Sequence, residues 1–495
     1  MAGPTDREQI ACIARPAQLP CGRVLPNRLV KAAMEEMLPA DLQEALYEVW
    51  AEGGWGMLIS GNVQVSPAHL GTPFDLAVPP LPFPPSSLDA FARWARSTRP
   101  TSGRPAPLAV LQLNHPGRQS MRLLCGRPFS SPALAPSAVP LRVAGPLGAL
   151  LWGTPRAMDA ADLDAVVRQF VDGARLARDA GWDGVQIHAS HGYLVASFMS
   201  PQVNRRTDVY GGTARKRLTL LLRIVAAIRA ECPQASGFCL GVKLNCSDFV
   251  KGGLTEQDAL DNVKWIAEHG GVDFIEISGG SYESPEFMNR ESSPNAPKRP
   301  STLQREAFFD TFSHRARFLL STLPPSTLAT PAPLILLTGG FRTRHGIARA
   351  LSPSSHSPPT ADLAGLARPA AADPFLPLAL LSHSVPSSAA RAPPYDPLAG
   401  VHWLRALCGG IAIAGPGLDV LYHTMALRVI ALRRAQARSC GSATSEVRRT
   451  GRGEDPRAGW WGMAWRAWVK PALPGWTLGV AGAVILAVVG SRWAP

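Results

Sequence analysis

Eight short apolar runs follow one another between Arg28 and Gly365, most closing on small or polar residues and separated by segments of helical spacing. The runs that predict strands are Arg28–Met34, Gly56–Asn62, Leu108–His115, Val185–Ile187, Gly241–Leu244, Asp273–Gly280, Leu334–Gly340 and Ala361–Gly365. Helices are predicted between them at Asp41–Glu52, Leu88–Arg96, Asp162–Ala180, Arg217–Glu231, Thr255–His269, Arg305–Leu320 and Arg344–Leu351. Leu42, Leu46 and Val49 show the spacing that marks one buried face. Strand–helix alternation of this kind implies a parallel sheet. Eight such units favour a closed α/β barrel, the (β/α)8 TIM fold, over an open doubly wound sheet. No G-x-G-x-x-G follows any of the runs, which also counts against a dinucleotide-binding sheet. In such barrels the chemistry gathers at the C-terminal ends of the strands.

Outside the barrel, residues 1–25 read as a polar, proline-punctuated N-terminal arm, and 116–156 as a long irregular loop. Ser86 or Ser87 is a candidate N-cap. The barrel with a C-terminal helical extension is expected to occupy 26–435, followed by a basic, Trp-containing linker over 436–470. Lys470 and Arg492 bracket the charge-free stretch 471–491. At about 1.5 Å per residue it spans about 30 Å, enough for a bilayer core. Trp460, Trp461, Trp465 and Trp468 would form its interfacial belt. The expectation is therefore a C-terminal tail with a single membrane-anchoring helix and a catalytic domain on the cytoplasmic side. The start of the chain carries Asp6, Arg7 and Glu8 and lacks a secretory apolar region, so secretion is not expected.

The net charge of +13 raises nucleic acid as a partner. Its distribution argues against that partner. Between Arg428 and Arg457, eight arginines face Glu446, Glu454 and Asp455, a local excess of +5, and the rest is scattered. The eight cysteines form no C-x-x-C pair, which fits a reduced compartment.

Candidate chemistry concentrates after the fourth strand, in His188-Ala189-Ser190-His191-Gly192-Tyr193. Two imidazoles and a phenol can bind a carbonyl oxygen and deliver a proton. Alternatively, the histidines are a structural pair or two metal ligands. No carboxylate or cysteine lies nearby at fitting spacing, so no metal is expected.

Several motifs taken together resemble the old yellow enzyme family of FMN-dependent ene-reductases. They are Pro26-Asn27-Arg28-Leu29-Val30, Gln112-Leu113-Asn114-His115-Pro116-Gly117-Arg118, and His188-x-x-His191-x-Tyr193. Asn204-Arg205-Arg206-Thr207-Asp208, Ser278-Gly279-Gly280, Thr338-Gly339-Gly340 and Gly365-Leu366-Ala367-Arg368-Pro369 follow in order. The resemblance implies FMN as cofactor, NADPH or NADH as hydride donor, and a small enone-type substrate turned over in a ping-pong cycle. It implies that His188 and His191 bind the substrate carbonyl and that Tyr193 is the proton donor. Gln112 would bond the flavin pyrimidine edge, and Lys243 would stand beside flavin N1 and O2. Gly340, Ala367 and Arg368 would hold the phosphate, while Ala33, Met34 and Gly61, at the first two strand ends, complete the implied cofactor contacts. Other acceptors, quinones or nitro compounds, suit the same family. A non-catalytic, membrane-tethered barrel is the reading from another class.

Two positions depart from the family pattern. Ala367 replaces a glycine, which is harmless where φ is negative. Glu35 stands where Thr or Cys is usual beside flavin O4. A carboxylate there is expected to oppose the reduced anion unless it points away.

Overall fold

The computed structural model describes residues 5–122, 124–143, 145–279, 300–353, 359–393 and 414–439. Its centre is a closed ring of eight parallel strands. They are β1 (Leu29–Lys31), β2 (Met57–Gln64), β3 (Leu108–Asn114) and β4 (Gly184–Ala189), then β5 (Cys239–Asn245), β6 (Phe274–Ser278), β7 (Leu334–Thr338) and β8 (Leu363–Leu366). Each pairs with the next in sequence, and β8 returns to β1 with Gly365 opposite Val30, closing the barrel. All eight predicted strands form, shifted at their ends by one to a few residues.

Period-two alternation sorts the side chains of each strand. Val30, Met57, Ile59, Leu108, Val110, Phe274, Leu336 and Leu363 pack together as the lower barrel interior. Gly241 is required beside Phe274, because a Cβ there would meet the ring at 2.2 Å. One layer higher the inward positions turn polar, with Gln112, Gln186, Lys243 and Glu276 all buried. Strand residues of the opposite parity, such as Leu58, Leu111, Val185, Val242 and Ile275, join the core beneath the helices.

The outer layer contains α2 (Ala40–Ala51), α3 (Pro85–Ser97), α4 (Ala160–Asp179), α5 (Thr219–Glu231), α6 (Glu256–His269), α7 (Pro300–Thr322) and α8 (Arg344–Leu351). Capping boxes start α4 at Asp159 with Asp162 and α6 at Thr255 with Asp258. The expected Ser86 or Ser87 cap is replaced: α3 starts after Pro84 with Pro85 in its first turn, where the missing N–H has no cost.

The N-terminal segment is more ordered than its prolines suggest. It holds α1 (Asp6–Ala14), capped by Thr5 and Glu8, and an antiparallel hairpin of Ala17–Gln18 with Val24–Leu25. Ala17, Leu19, Cys21 and Leu25 of this hairpin pack into the lower interior and plug the barrel floor. The expected loop 116–156 also contains a helix, Gly145–Trp152, and a two-residue strand pair, Leu134–Ala135 with Arg156–Ala157.

At the other end, α9 (Ala414–Ser439) runs past the expected linker start at 436 and lies against α2. Arg434 pairs with Glu48 at 2.7 Å, and Arg438 pairs with the same carboxylate. The remaining linker and the expected anchor, 471–491, lie outside the described residues. No described helix is long and apolar enough to cross a membrane.

Candidate active site

The mouth of the barrel is assembled from strand ends that the sequence separates widely. His188 is the penultimate residue of β4, and the chain turns sharply after it. His191 adopts φ +58° and Gly192 φ +75°. A left-handed histidine is an uncommon conformation. Here it is clamped from both sides: its N–H donates to Asn245 Oδ1 at 3.0 Å, and its carbonyl accepts from Gln119 Nε2 at 2.8 Å. The turn brings the Tyr193 ring edge-on to His188, 4.7 Å between centroids.

The hydrogen bonds fix the imidazole tautomers. The Ser190 N–H donates to His188 Nδ1 at 3.3 Å, so the neutral ring carries its proton on Nε2. That N–H points to His191 Nδ1 at 3.3 Å, and His191 donates from Nε2 to Ser278 Oγ at 2.8 Å. Burial holds both histidines well below the usual imidazole range. For His188 the neighbouring His191 and then Lys243 add to this, and for His191 Lys243 adds to it. Both rings are therefore neutral donors near pH 7.

Beneath this cluster lies the polar layer. Gln112 donates from Nε2 to Asn62 Oδ1 at 2.7 Å, and its buried Oε1 has no partner among the described residues. Lys243 Nζ lies 3.2 Å from Glu276 Oε1, and Gln186 donates to Glu276 Oε2 at 2.8 Å. The protein itself supplies the counter-ion that makes a buried lysine tolerable here. The two residues are register partners across β5 and β6.

Around the rim, Ala33 and Met34 are partly buried beyond the end of β1. Gly61 sits in a bulge of β2, where the register skips between Ile59 and Asn62. Its N–H already donates to both carboxylate oxygens of Glu36, at 3.0 and 3.2 Å. Glu36 in turn binds Lys31 Nζ at 2.8 Å and accepts from Tyr47 at 2.8 Å. On the far rim, Gly339 and Gly340 follow β7 with φ +120° and +73°, and a Cβ on Gly339 would meet nothing within 4 Å. Ala367 has φ −96°, so no glycine is needed there, and it starts the short helix Arg368–Ala372 after β8. Thr338 and Gly365 are register partners, so these two rims adjoin.

The residues suit FMN by two marks: the Gln112 Oε1 without a partner among the described residues for a ring-edge donor, and the open space at Gly339, on the rim adjoining the end of β8, for a phosphate. Glu35 is the exception. It does not turn away from the mouth: its Oε1 accepts from Tyr193 Oη at 2.9 Å and from Asn62 Nδ2 at 2.8 Å.

Sequence reading missed Glu276, Asn62 and Ser278 as members of the site. The detectable signal was an acid inside the apolar run Phe274–Ile277. Among the described residues the only metal-ligating cluster is Cys21, Cys239 and Asp273, at the barrel floor. Asp273 is already engaged by Arg229 at 2.7 Å, Gln234 at 2.8 Å and the Leu240 N–H at 2.7 Å, which gives the group a structural role.

Comparison with known proteins bears on the fold and the family. The chain is 37% identical over 414 residues to the NADH-dependent flavin oxidoreductase iliE of Hypocrea jecorina (strain QM6a), covering 81% of this chain and 96% of that protein. It is 40% identical over 375 residues to the iliE protein of Neonectria sp. (strain DH2), covering 73% of this chain but 46% of that longer protein. Among solved structures, morphinone reductase shares the fold with a TM-score of 0.55 at 21% identity, over 74% of this chain and 88% of that one. The old yellow enzyme homologue from Zymomonas mobilis does so with 0.56 at 20%, over 76% and 93%. The profile of the NADH:flavin oxidoreductase / NADH oxidase family matches residues 22–304. With that match and the iliE relatives in hand, the chain belongs to this family and is an NAD(P)H-dependent oxidoreductase that works with FMN.

Proposed function

We propose that the protein reduces the C=C bond of α,β-unsaturated carbonyl compounds at the expense of NADH or NADPH. When bound, FMN supplies the hydride relay between nicotinamide and substrate. Gln112 and Lys243 would hold the ring edge, and Gly340, Ala367 and Arg368 the phosphate. The observation that supports this reading best is the meeting of two neutral imidazole donors and a phenol in one buried mouth.

His188 Nε2–H and His191 Nε2–H are the two donors available to a carbonyl oxygen. A substrate oxygen between them would replace His191 Nδ1 and Ser278 Oγ as acceptor. Because both rings are neutral, they polarise the carbonyl without giving up a proton. Tyr193, 4% exposed, is the acid positioned to protonate the α-carbon as enolate charge develops.

Tyr193→Phe tests the assignment by rapid mixing of the two half-reactions. Flavin reduction by NAD(P)H should be unchanged, and reoxidation by an enone should slow by about 10²–10⁴-fold. Equal and unaltered half-reactions would show that another group is the acid.

A further inference from the structure

Glu35 is the one acidic group at the mouth that the reading above leaves without a task. Its residue as a whole is half-buried, yet protein atoms crowd its carboxylate. Tyr193 and Asn62 donate to it from the β4 and β2 sides, and Asn62 is tied in turn to Gln112. Asp75 faces it from the segment after β2, with Gly71 N–H, Thr72 N–H, Thr72 Oγ1 and Gln64 Nε2 all donating to that aspartate. Glu36 faces it from its own loop, with Lys31 committed to Glu36. Among the described residues no ion pair reaches Glu35. Burial first, then the charge of Asp75, and more weakly that of Glu36, push its proton affinity up to about 7. The bonds from Tyr193 and Asn62 only partly oppose this.

We infer that Glu35 is the proton store behind Tyr193, returning a proton to the phenol oxygen as that phenol protonates the substrate. The inference rests on Tyr193 being the acid. The balance is simple. Tyr193 Oη donates to Glu35 Oε1 across 2.9 Å when Glu35 is a carboxylate, and a protonated Glu35 reverses that bond, donating to Tyr193 Oη and freeing the phenol proton for the substrate. The Tyr193 O–H bond then breaks as a C–H bond forms at the α-carbon, and the Glu35 O–H bond breaks as the Tyr193 O–H bond re-forms. Glu35 is left as a carboxylate and takes its next proton from solvent. No oxidant or reductant is consumed by the relay. Its advantage is electrostatic: a phenolate in this water-poor mouth, flanked by neutral imidazoles, is unfavourable, and the relay keeps it from accumulating. It also accounts for a carboxyl group beside the flavin position, since a protonated Glu35 brings no charge to oppose the reduced anion.

Infrared difference titration of the flavin-free and FMN-loaded protein provides a readout independent of turnover. A protonated-carboxyl C=O band that titrates near pH 7 should be present in both and absent from Glu35→Gln. In stopped-flow reoxidation by an enone, the wild-type rate should fall by about one decade per pH unit above that point. Glu35→Gln should reoxidise at least about tenfold more slowly with a flat profile, and Glu35→Asp should restore the slope. If Tyr193→Phe slows reoxidation but Glu35→Gln matches wild type in rate and profile, the relay is wrong and the acid assignment stands. If Tyr193→Phe has no effect, the underlying reading itself fails. Should Glu35→Gln not fold, a wild-type rate constant between about pH 6 and 8, or no titrating carboxyl band, overturns the relay.

Discussion

Glu35 and the two mouth histidines meet around Tyr193, which bonds Glu35 and packs edge-on against His188, and burial moves their protons in opposite directions. Each is driven towards its neutral form: the carboxylic acid keeps its proton and the imidazoles lose theirs. For Glu35 the native proton affinity, about 7, exceeds the 4.5 of an unperturbed side chain. The folded protein therefore binds more protons between these values, and stability falls as pH rises through that window. Glu35→Gln has no charge to develop. Its stability relative to wild type should improve by about 1–2 kcal/mol between about pH 5 and pH 8, after discounting for solvent at the mouth. Urea unfolding of both proteins at the two pH values measures this, and a pH-independent difference would show that Glu35 stays ionised. Residue identities at the mouth were legible in the sequence because the His-x-x-His-x-Tyr spacing is local. Their partners were not. Glu276, Ser278 and Asn62 reach Lys243, His191 and Gln112 respectively, and only through the register of neighbouring strands and the curl of a loop.

Among the elements, the junction of β1 and α2 carries Glu35 and shows how the rim is braced. Lys31 is fully buried between the strand and α2. It donates to Glu36 at 2.8 Å, to Tyr47 Oη at 3.2 Å and to the Ile59 carbonyl at 2.8 Å, with Trp50 beneath it at 4.2 Å. Glu36 uses the same pair to hold the Gly61 N–H, so a bulge in β2 is locked to the loop after β1. Lys31→Met should cost about 3–5 kcal/mol by leaving Glu36 buried without its cation. The double change Lys31→Met with Glu36→Gln should recover most of that loss, because no uncompensated charge remains. Chemical denaturation of the two variants distinguishes this from a simple packing defect, in which the double variant would be no better than the single. This bracing was invisible to periodicity: Lys31 falls inside an apolar run and reads only as a tolerated interruption. The strands and helices were visible because apolar spacing of two or of three and four is a local signal. The hairpin over 17–25 escaped because Pro16 and Pro20 break that signal, while Ala17, Leu19, Cys21 and Leu25 still find a common surface on the barrel floor.

For the whole molecule, the C-terminal segment separates into two parts with different expected consequences. Helix α9 buries Tyr422, Met425, Leu427, Ile430 and Ala431, and it lies on α2, whose Tyr47 and Gln43 bond Glu36. At about 1.5–3 kcal/mol for each large apolar side chain buried, its removal should cost on the order of 5 kcal/mol or more. The loss should also loosen the rim that holds Glu35. A chain ending at residue 393 is therefore expected to unfold at markedly lower temperature and to bind FMN more weakly. A chain ending after Ser439 keeps α9 and its Arg434 and Arg438 pairs with Glu48, so its thermal stability and FMN affinity should equal those of the full chain. The same shorter chain lacks 471–491, whose anchoring role is a proposal drawn from its charge-free length and flanking tryptophans. Co-sedimentation with phosphatidylcholine vesicles should then retain the full chain and release the chain ending after Ser439, at low and at high salt alike. Release of both by salt alone would make the attraction one of surface arginines, and equal sedimentation of both would move any membrane contact onto the barrel itself.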